Sequence, residues 1–167
     1  MGEGRSILSV VRRHAARLKQ SSGDTPVRVL VVDDEPPVRA FVSSVLKDAG
    51  YAITTAENAR DAMRIVAEHG VPDLLLTDLR MPGTSGDELA ARLRHDNPDL
   101  RVLYLTGFAG ELFDHRGTLW KNEAFLDKPC TVRGLLEAVV LAISGHLPGE
   151  RGGNGGGPKP PGSRDDV

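Results

Sequence analysis

Val29-Leu30-Val31-Val32-Asp33-Asp34-Glu35-Pro36-Pro37 is the stretch whose reading decides the fold. Its apolar run is long enough for a strand buried on both faces, as parallel strands are. Two carboxylates close that run. Pro36-Pro37 then opens a helix to about Ala49, because proline is tolerated in a first helical turn and Gly50 can end the helix. The same grammar recurs downstream. Leu74-Leu75-Leu76-Thr77 ends at Asp78, Val102-Leu103-Tyr104-Leu105 ends at Thr106, and Ala124-Phe125-Leu126-Asp127 leads to Lys128.

The stretches between these runs carry helical spacing. Val38, Phe41, Val42, Val45 and Leu46 form one apolar face. Asn58 can cap a helix to about His69 that is buried through Ala62, Ile65 and Val66. A helix is expected over Asp87–Arg94, a less regular stretch over Phe108–Lys121, and a final helix after Thr131 that carries Leu135, Leu136, Val139, Val140 and Ile143. Tyr51–Ala56 alternates and should lie near a sheet edge. Five successive β/α units imply an α/β fold: a doubly wound parallel sheet with right-handed crossovers and helices on both faces.

In such a sheet, ligands bind outside the carboxyl ends of the strands. Asp33, Asp34, Asp78, Thr106 and Lys128 should therefore gather at one edge. Carboxylates crowded together repel, by about 4 kcal/mol per pair at roughly 4 Å if the effective dielectric is near 20. A hard divalent cation relieves this, and Mg²⁺ suits one or two carboxylates with waters and phosphate oxygens. A lysine opposite the cluster suits a phosphoryl group.

Four motifs thus stand in order: Val31-Val32-Asp33-Asp34-Glu35, Asp78-Leu79-Arg80-Met81-Pro82-Gly83, Leu105-Thr106-Gly107 and Lys128-Pro129. On these motifs and their intervals, roughly Val27 to Ser144 resembles the receiver (phosphoacceptor) domain of two-component response regulators. The resemblance implies a five-stranded, flavodoxin-like sheet of order 2-1-3-4-5. It implies that Asp78 takes a phosphoryl group from a histidine kinase, a phosphotransfer protein or a small phosphodonor. It further implies that Asp34 and Asp78 ligate Mg²⁺ directly, with the Arg80 backbone carbonyl as third protein ligand and Asp33 acting through a metal-bound water. Lys128 would bind the phosphoryl group. The Thr106 hydroxyl would report it, and Phe125 would rotate inward to shift the surface over residues 109–144.

Charge divides the chain into three regions. Residues 1–26 hold five Lys/Arg against two Asp/Glu (+3), residues 27–144 hold thirteen against eighteen (−5), and residues 145–167 hold three of each. The first is read as a basic amphipathic helix over Arg5–Gln20 with a linker, the second as the receiver domain. The third, with eight Gly and four Pro and little to bury, is read as a disordered tail. A core at −5 is a poor nucleic-acid binder. The single Cys130 fits a reducing cytoplasm, and no apolar run approaches the ~20 residues that span a bilayer. The N-terminal helix can dock on the domain, mediate a homodimer or bind an acidic partner, and these alternatives stay open at this point.

One position departs from the family. Cys130 stands where a bulky residue usually follows Lys-Pro, and it is read as a small buried hydrophobe. Arg80 and Phe108, two residues past Asp78 and Thr106, occupy positions that tune acyl-phosphate lifetime in the family; their bulk should hinder hydrolytic water, although Arg80 equally fits a solvated loop charge. No residues remain for an output domain, so the expectation is a stand-alone switch, not an enzyme, acting by protein contact or as a phosphate relay. The competing readings are a receiver-shaped module that is never phosphorylated and a Mg²⁺-dependent phosphohydrolase. The latter lacks an Asp-x-Asp motif and an evident second acid-base residue.

Overall fold

A computed structural model of the chain describes residues 6–21, 23–108, 110 and 119–144. The Gly/Pro-rich tail and most of the stretch expected to be irregular, residues 109 and 111–118, lie outside the described residues. The elements are α1 (Ile7–Ser21), β1 (Arg28–Val32), α2 (Pro36–Asp48), β2 (Ala52–Ala56), α3 (Ala59–His69), β3 (Leu74–Thr77), α4 (Gly86–Asp96), β4 (Arg101–Thr106), β5 (Glu123–Asp127) and α5 (Val132–Ser144).

Strands β1 to β5 form one parallel sheet in the order β2-β1-β3-β4-β5, as the resemblance implied. Alternation along each buried strand sends successive residues to opposite faces, and two cores result. Val29, Val31, Leu74, Leu76, Leu103 and Leu105 pack with α2 and α5. Leu30, Val32, Leu75, Val102 and Tyr104 pack with α3 and α4. The local signals act as expected. The Asn58 side chain accepts from the Asp61 N–H at 2.8 Å, Thr131 Oγ1 accepts from the Gly134 N–H at 3.0 Å, and α2 gives way to Gly50 at φ +97. Strand β2 takes one edge of the sheet and leaves Thr54 and Thr55 exposed.

Helix α1 lies against this frame. Val11 and Ala15 are buried in the core that α2 and α5 share, with Ile7, Leu8 and Leu18 partly buried beside them. Arg12 Nε donates to the Asp48 carbonyl at 2.6 Å, setting a cation on the C-terminal end of α2, where the helix dipole favours one. A methyl on Gly50 would lie 3.8 Å from the Ala15 Cβ, so helix and turn meet closely. The apolar face of α1 is thus spent on the domain itself.

Candidate functional site

Register carries the chemistry to one edge. Val32 pairs with Thr77 and Thr77 with Tyr104, while Thr106 pairs with Asp127. The ladder runs one step further through the Asp78 N–H to the Val32 carbonyl (2.9 Å) and the Lys128 N–H to the Thr106 carbonyl (3.1 Å). Asp33, Asp78, Thr106 and Lys128 therefore all emerge at the carboxyl ends of β1, β3, β4 and β5.

Three of them touch. Lys128 Nζ donates to Asp33 Oδ2 at 2.8 Å and to Asp78 Oδ2 at 3.2 Å. It also donates to Glu35 Oε2 at 3.0 Å, a residue to which the sequence had assigned no role. Oxygens of Asp33, Glu35 and Asp78 lie within 4.8 Å of one another. Asp34 stands apart from this trio: it is exposed and lines a cavity of about 430 Å³ with Glu57, Asn58, Arg60 and the Pro82–Thr84 loop that follows Asp78.

Asp33 and Asp78 are both buried. Asp33 Oδ1 accepts the Glu35 N–H at 2.9 Å. Burial raises the Asp33 pKa above the usual carboxylate range, and the bonds from Lys128 and the Glu35 N–H pull part of that back. Burial alone would lower Lys128. The hydrogen bonds to Asp33 and Glu35 and the charges of Asp33 and Asp78 more than offset it, so the ammonium is held above the ordinary lysine range. Asp78 Oδ2 is taken by Lys128, while its Oδ1 is buried with no hydrogen-bond partner among the described residues. A buried carboxylate oxygen left without a donor is costly, and a cation is the partner such an oxygen fits. The donor set is all oxygen, which suits Mg²⁺.

Gly86, which sequence reasoning missed, helps to place Asp78. It begins α4, its N–H donates to the Leu79 carbonyl at 2.9 Å, and a Cβ there would run into the Asp78 carbonyl oxygen. That carbonyl also accepts from Thr77 Oγ1 at 2.9 Å. Only Ser85-Gly86 ahead of an apolar helical pattern hinted at this close approach.

At the rim, Thr106 is fully buried and its Oγ1 accepts the Phe108 N–H at 3.1 Å. The Arg80 guanidinium lies 4.1 Å from the centroid of the Phe108 ring, so the two residues expected to screen the site form one cation–π stack. Phe125, opposite Tyr104 in the ladder, is 38% exposed. Cys130 is partly buried beside Lys128, and burial pushes its thiol pKa up, as befits a packing residue rather than a reactive one. No helix among the described residues is long and apolar enough to cross a membrane.

Residues 29–140 match the family model of the response regulator receiver domain. The chain is 34% identical over 124 residues to the phosphate regulon transcriptional regulatory protein PhoB of Pseudomonas aeruginosa, covering 73% of this chain and 54% of that protein. It is 33% identical over 112 residues to the response regulator receiver protein CpdR of Brucella abortus, covering 67% of this chain and 92% of that protein. The chain thus spans about half the length of PhoB and nearly all of CpdR. Among solved structures it is similar to the response regulator TrrA of Thermotoga maritima in complex with Mg²⁺–BeF, at 34% identity and a TM-score of 0.59 over 69% of this chain and 97% of that one. With the parallel sheet and the acidic edge that Lys128 closes, these matches lead to one conclusion: the chain belongs to the receiver domain family of two-component response regulators.

Proposed function

We propose that Asp78 accepts a phosphoryl group, with Mg²⁺ as cofactor, and that the modified domain signals by protein contact or passes the group along a relay. The observation that carries this reading is the state of Asp78. It is buried, with one oxygen on Lys128 at 3.2 Å and the other with no hydrogen-bond partner among the described residues. Attack by the carboxylate on phosphorus gives an acyl phosphate, a form of covalent catalysis.

Asp34, Asp78 and the Arg80 carbonyl would hold the cation, and Asp33 would reach it through water. When bound, the cation supplies charge neutralisation between the carboxylates and the phosphoryl oxygens. The chain's own residues do the rest. Thr77 and Gly86 fix the Asp78 backbone, Lys128 binds the phosphoryl oxygens, and the Thr106 hydroxyl turns to one of them. Phe125 then moves inward and biases the surface over residues 109–144. The donor would be a phosphohistidine on a histidine kinase or a phosphotransfer protein, or a small acyl phosphate. The place of action would be the cytoplasm.

The test is intact mass after incubation with acetyl phosphate and Mg²⁺. A single phosphate adduct is expected on the wild type and none on Asp78→Ala or without Mg²⁺. If the wild type binds Mg²⁺ yet takes no phosphate here or from candidate histidine kinases, the unphosphorylated interaction module replaces this reading. Turnover beyond one phosphate per chain would favour the hydrolase.

The Arg80–Phe108 stack should also lengthen the life of the acyl phosphate by keeping water from the phosphorus. Replacing both with alanine is expected to shorten that life by ~3- to 10-fold, at most about 1.4 kcal/mol of barrier. An unchanged decay, followed by mass after removal of the donor, would dispose of the screen.

A further inference from the structure

An ammonium group has three protons to donate. Lys128 directs them at three carboxylates: Asp33 at 2.8 Å, Glu35 at 3.0 Å and Asp78 at 3.2 Å. A phosphoryl group arriving on Asp78 needs Lys128, so one of the three acceptors has to release it. Solvation decides which. The Asp33 side chain is 1% exposed, and releasing it would strand a buried charge. Asp78 is 8% exposed and is itself the reacting group. The Glu35 side chain is 58% exposed and can turn to water at little cost.

A second observation singles out Glu35. It occupies the N-cap position of α2, yet its side chain makes no capping hydrogen bond. Glutamate is not among the favoured residues at that position. The carboxylate reaches across to the β5 end instead.

We propose that Glu35 is a placeholder for the incoming phosphoryl group: at rest it occupies the Lys128 proton that the phosphoryl oxygens later take, and phosphorylation expels it. The inference rests on Asp78 being the phosphoacceptor. Glu35 is then a positioning residue that acts through Lys128. It also sets a donor preference, because its charge opposes a dianionic donor more strongly than a monoanionic one.

Two small donors separate these charges. With acetyl phosphate, a dianion, a bond forms between an Asp78 carboxylate oxygen and phosphorus. The bond from phosphorus to the acetate oxygen breaks, and acetate leaves with the electron pair. With phosphoramidate, whose ammonium-like nitrogen leaves a net single negative charge, ammonia departs with the protons it already carries. Neither transfer requires a further reactant.

The experiment compares full-length wild type, Glu35→Gln and Glu35→Ala at saturating Mg²⁺, with labelling rates from intact mass and Mg²⁺ affinity from calorimetry. Both variants are expected to label ~3- to 10-fold faster with acetyl phosphate and less than about twofold faster with phosphoramidate. Their Mg²⁺ affinity should stay within about threefold of wild type. A loss of about tenfold or more in Mg²⁺ affinity would mark Glu35 as a metal ligand and overturn the placeholder. So would rates that fall or stay unchanged while the wild type labels normally. If the wild type takes no phosphate from either donor, the phosphoacceptor reading fails and the placeholder falls with it.

Discussion

Replacing Arg94 with methionine is expected to destabilise the protein by about 3–5 kcal/mol, because it takes the guanidinium away from a carboxylate that is 1% exposed. Arg94 Nη1 meets Glu123 Oε1 at 2.9 Å, and its Nε and Nη2 hold the Leu100 carbonyl at 3.2 and 3.0 Å. Glu123 is engaged on its other sides too, accepting from the Tyr104 hydroxyl at 2.9 Å and from the Trp120 N–H at 3.0 Å. The group ties the C-terminal end of α4 to the amino ends of β4 and β5, at the opposite edge of the sheet from Asp78. Methionine fills the space but leaves the Glu123 charge in a dry site. A double replacement, Arg94→Met with Glu123→Gln, removes both charges, keeps an amide oxygen for the Tyr104 hydroxyl and should recover part of the loss. Urea unfolding of the two single variants and the double variant gives the coupling directly. Additive losses would mean that the pair is not a unit. Since the site lies at the other edge, phosphate uptake by folded Arg94→Met should stay near wild type.

The second large effect concerns α1. Val11→Asp places a carboxylate where the side chain is fully buried. The helix should respond by letting go, so the cost is bounded by its docking energy. That energy comes from burying Val11 and Ala15 and part of Ile7, Leu8 and Leu18, at about 1.5–3 kcal/mol for each large side chain fully buried. The entropy of ordering the helix opposes it. A net loss of about 2–4 kcal/mol is expected, whereas Arg13→Ala on the exposed face should stay within about 0.5 kcal/mol. Hydrogen exchange separates undocking from global unfolding. In Val11→Asp the α1 amides should lose protection while those of β1 keep theirs. Protected α1 amides and unchanged stability would show that Val11 contributes nothing to docking.

Much of the site was legible because strand ends are marked in the chain. Each buried run stops at a polar residue, and parallel topology brings those stops to one edge, so Asp33, Asp78, Thr106 and Lys128 could be grouped before any coordinates. The α1 contact was not. Amphipathicity says that a face is buried, not against what, and the complementary clue, the apolar helix α5, lies more than a hundred residues away. Glu35 stood inside the quoted motif, yet its reach to Lys128 depends on a long side chain's rotamer. Arg94 and Glu123 are 29 residues apart, and no motif links them. Only the fold brings them together and dries them out.

Docking α1 has an electrostatic consequence. The helix carries Arg12, Arg13, Arg17 and Lys19 and no acidic residue, while residues 27–144 sum to −5. A loose arm would smear that positive charge over its reach. A docked one freezes it on a single flank of an acidic body and gives the molecule a permanent dipole. Anything charged then meets a torque before it meets a surface, over about 10 Å at 0.1 M salt and farther in dilute buffer. The angle of an encounter is thereby chosen before any side chain makes contact.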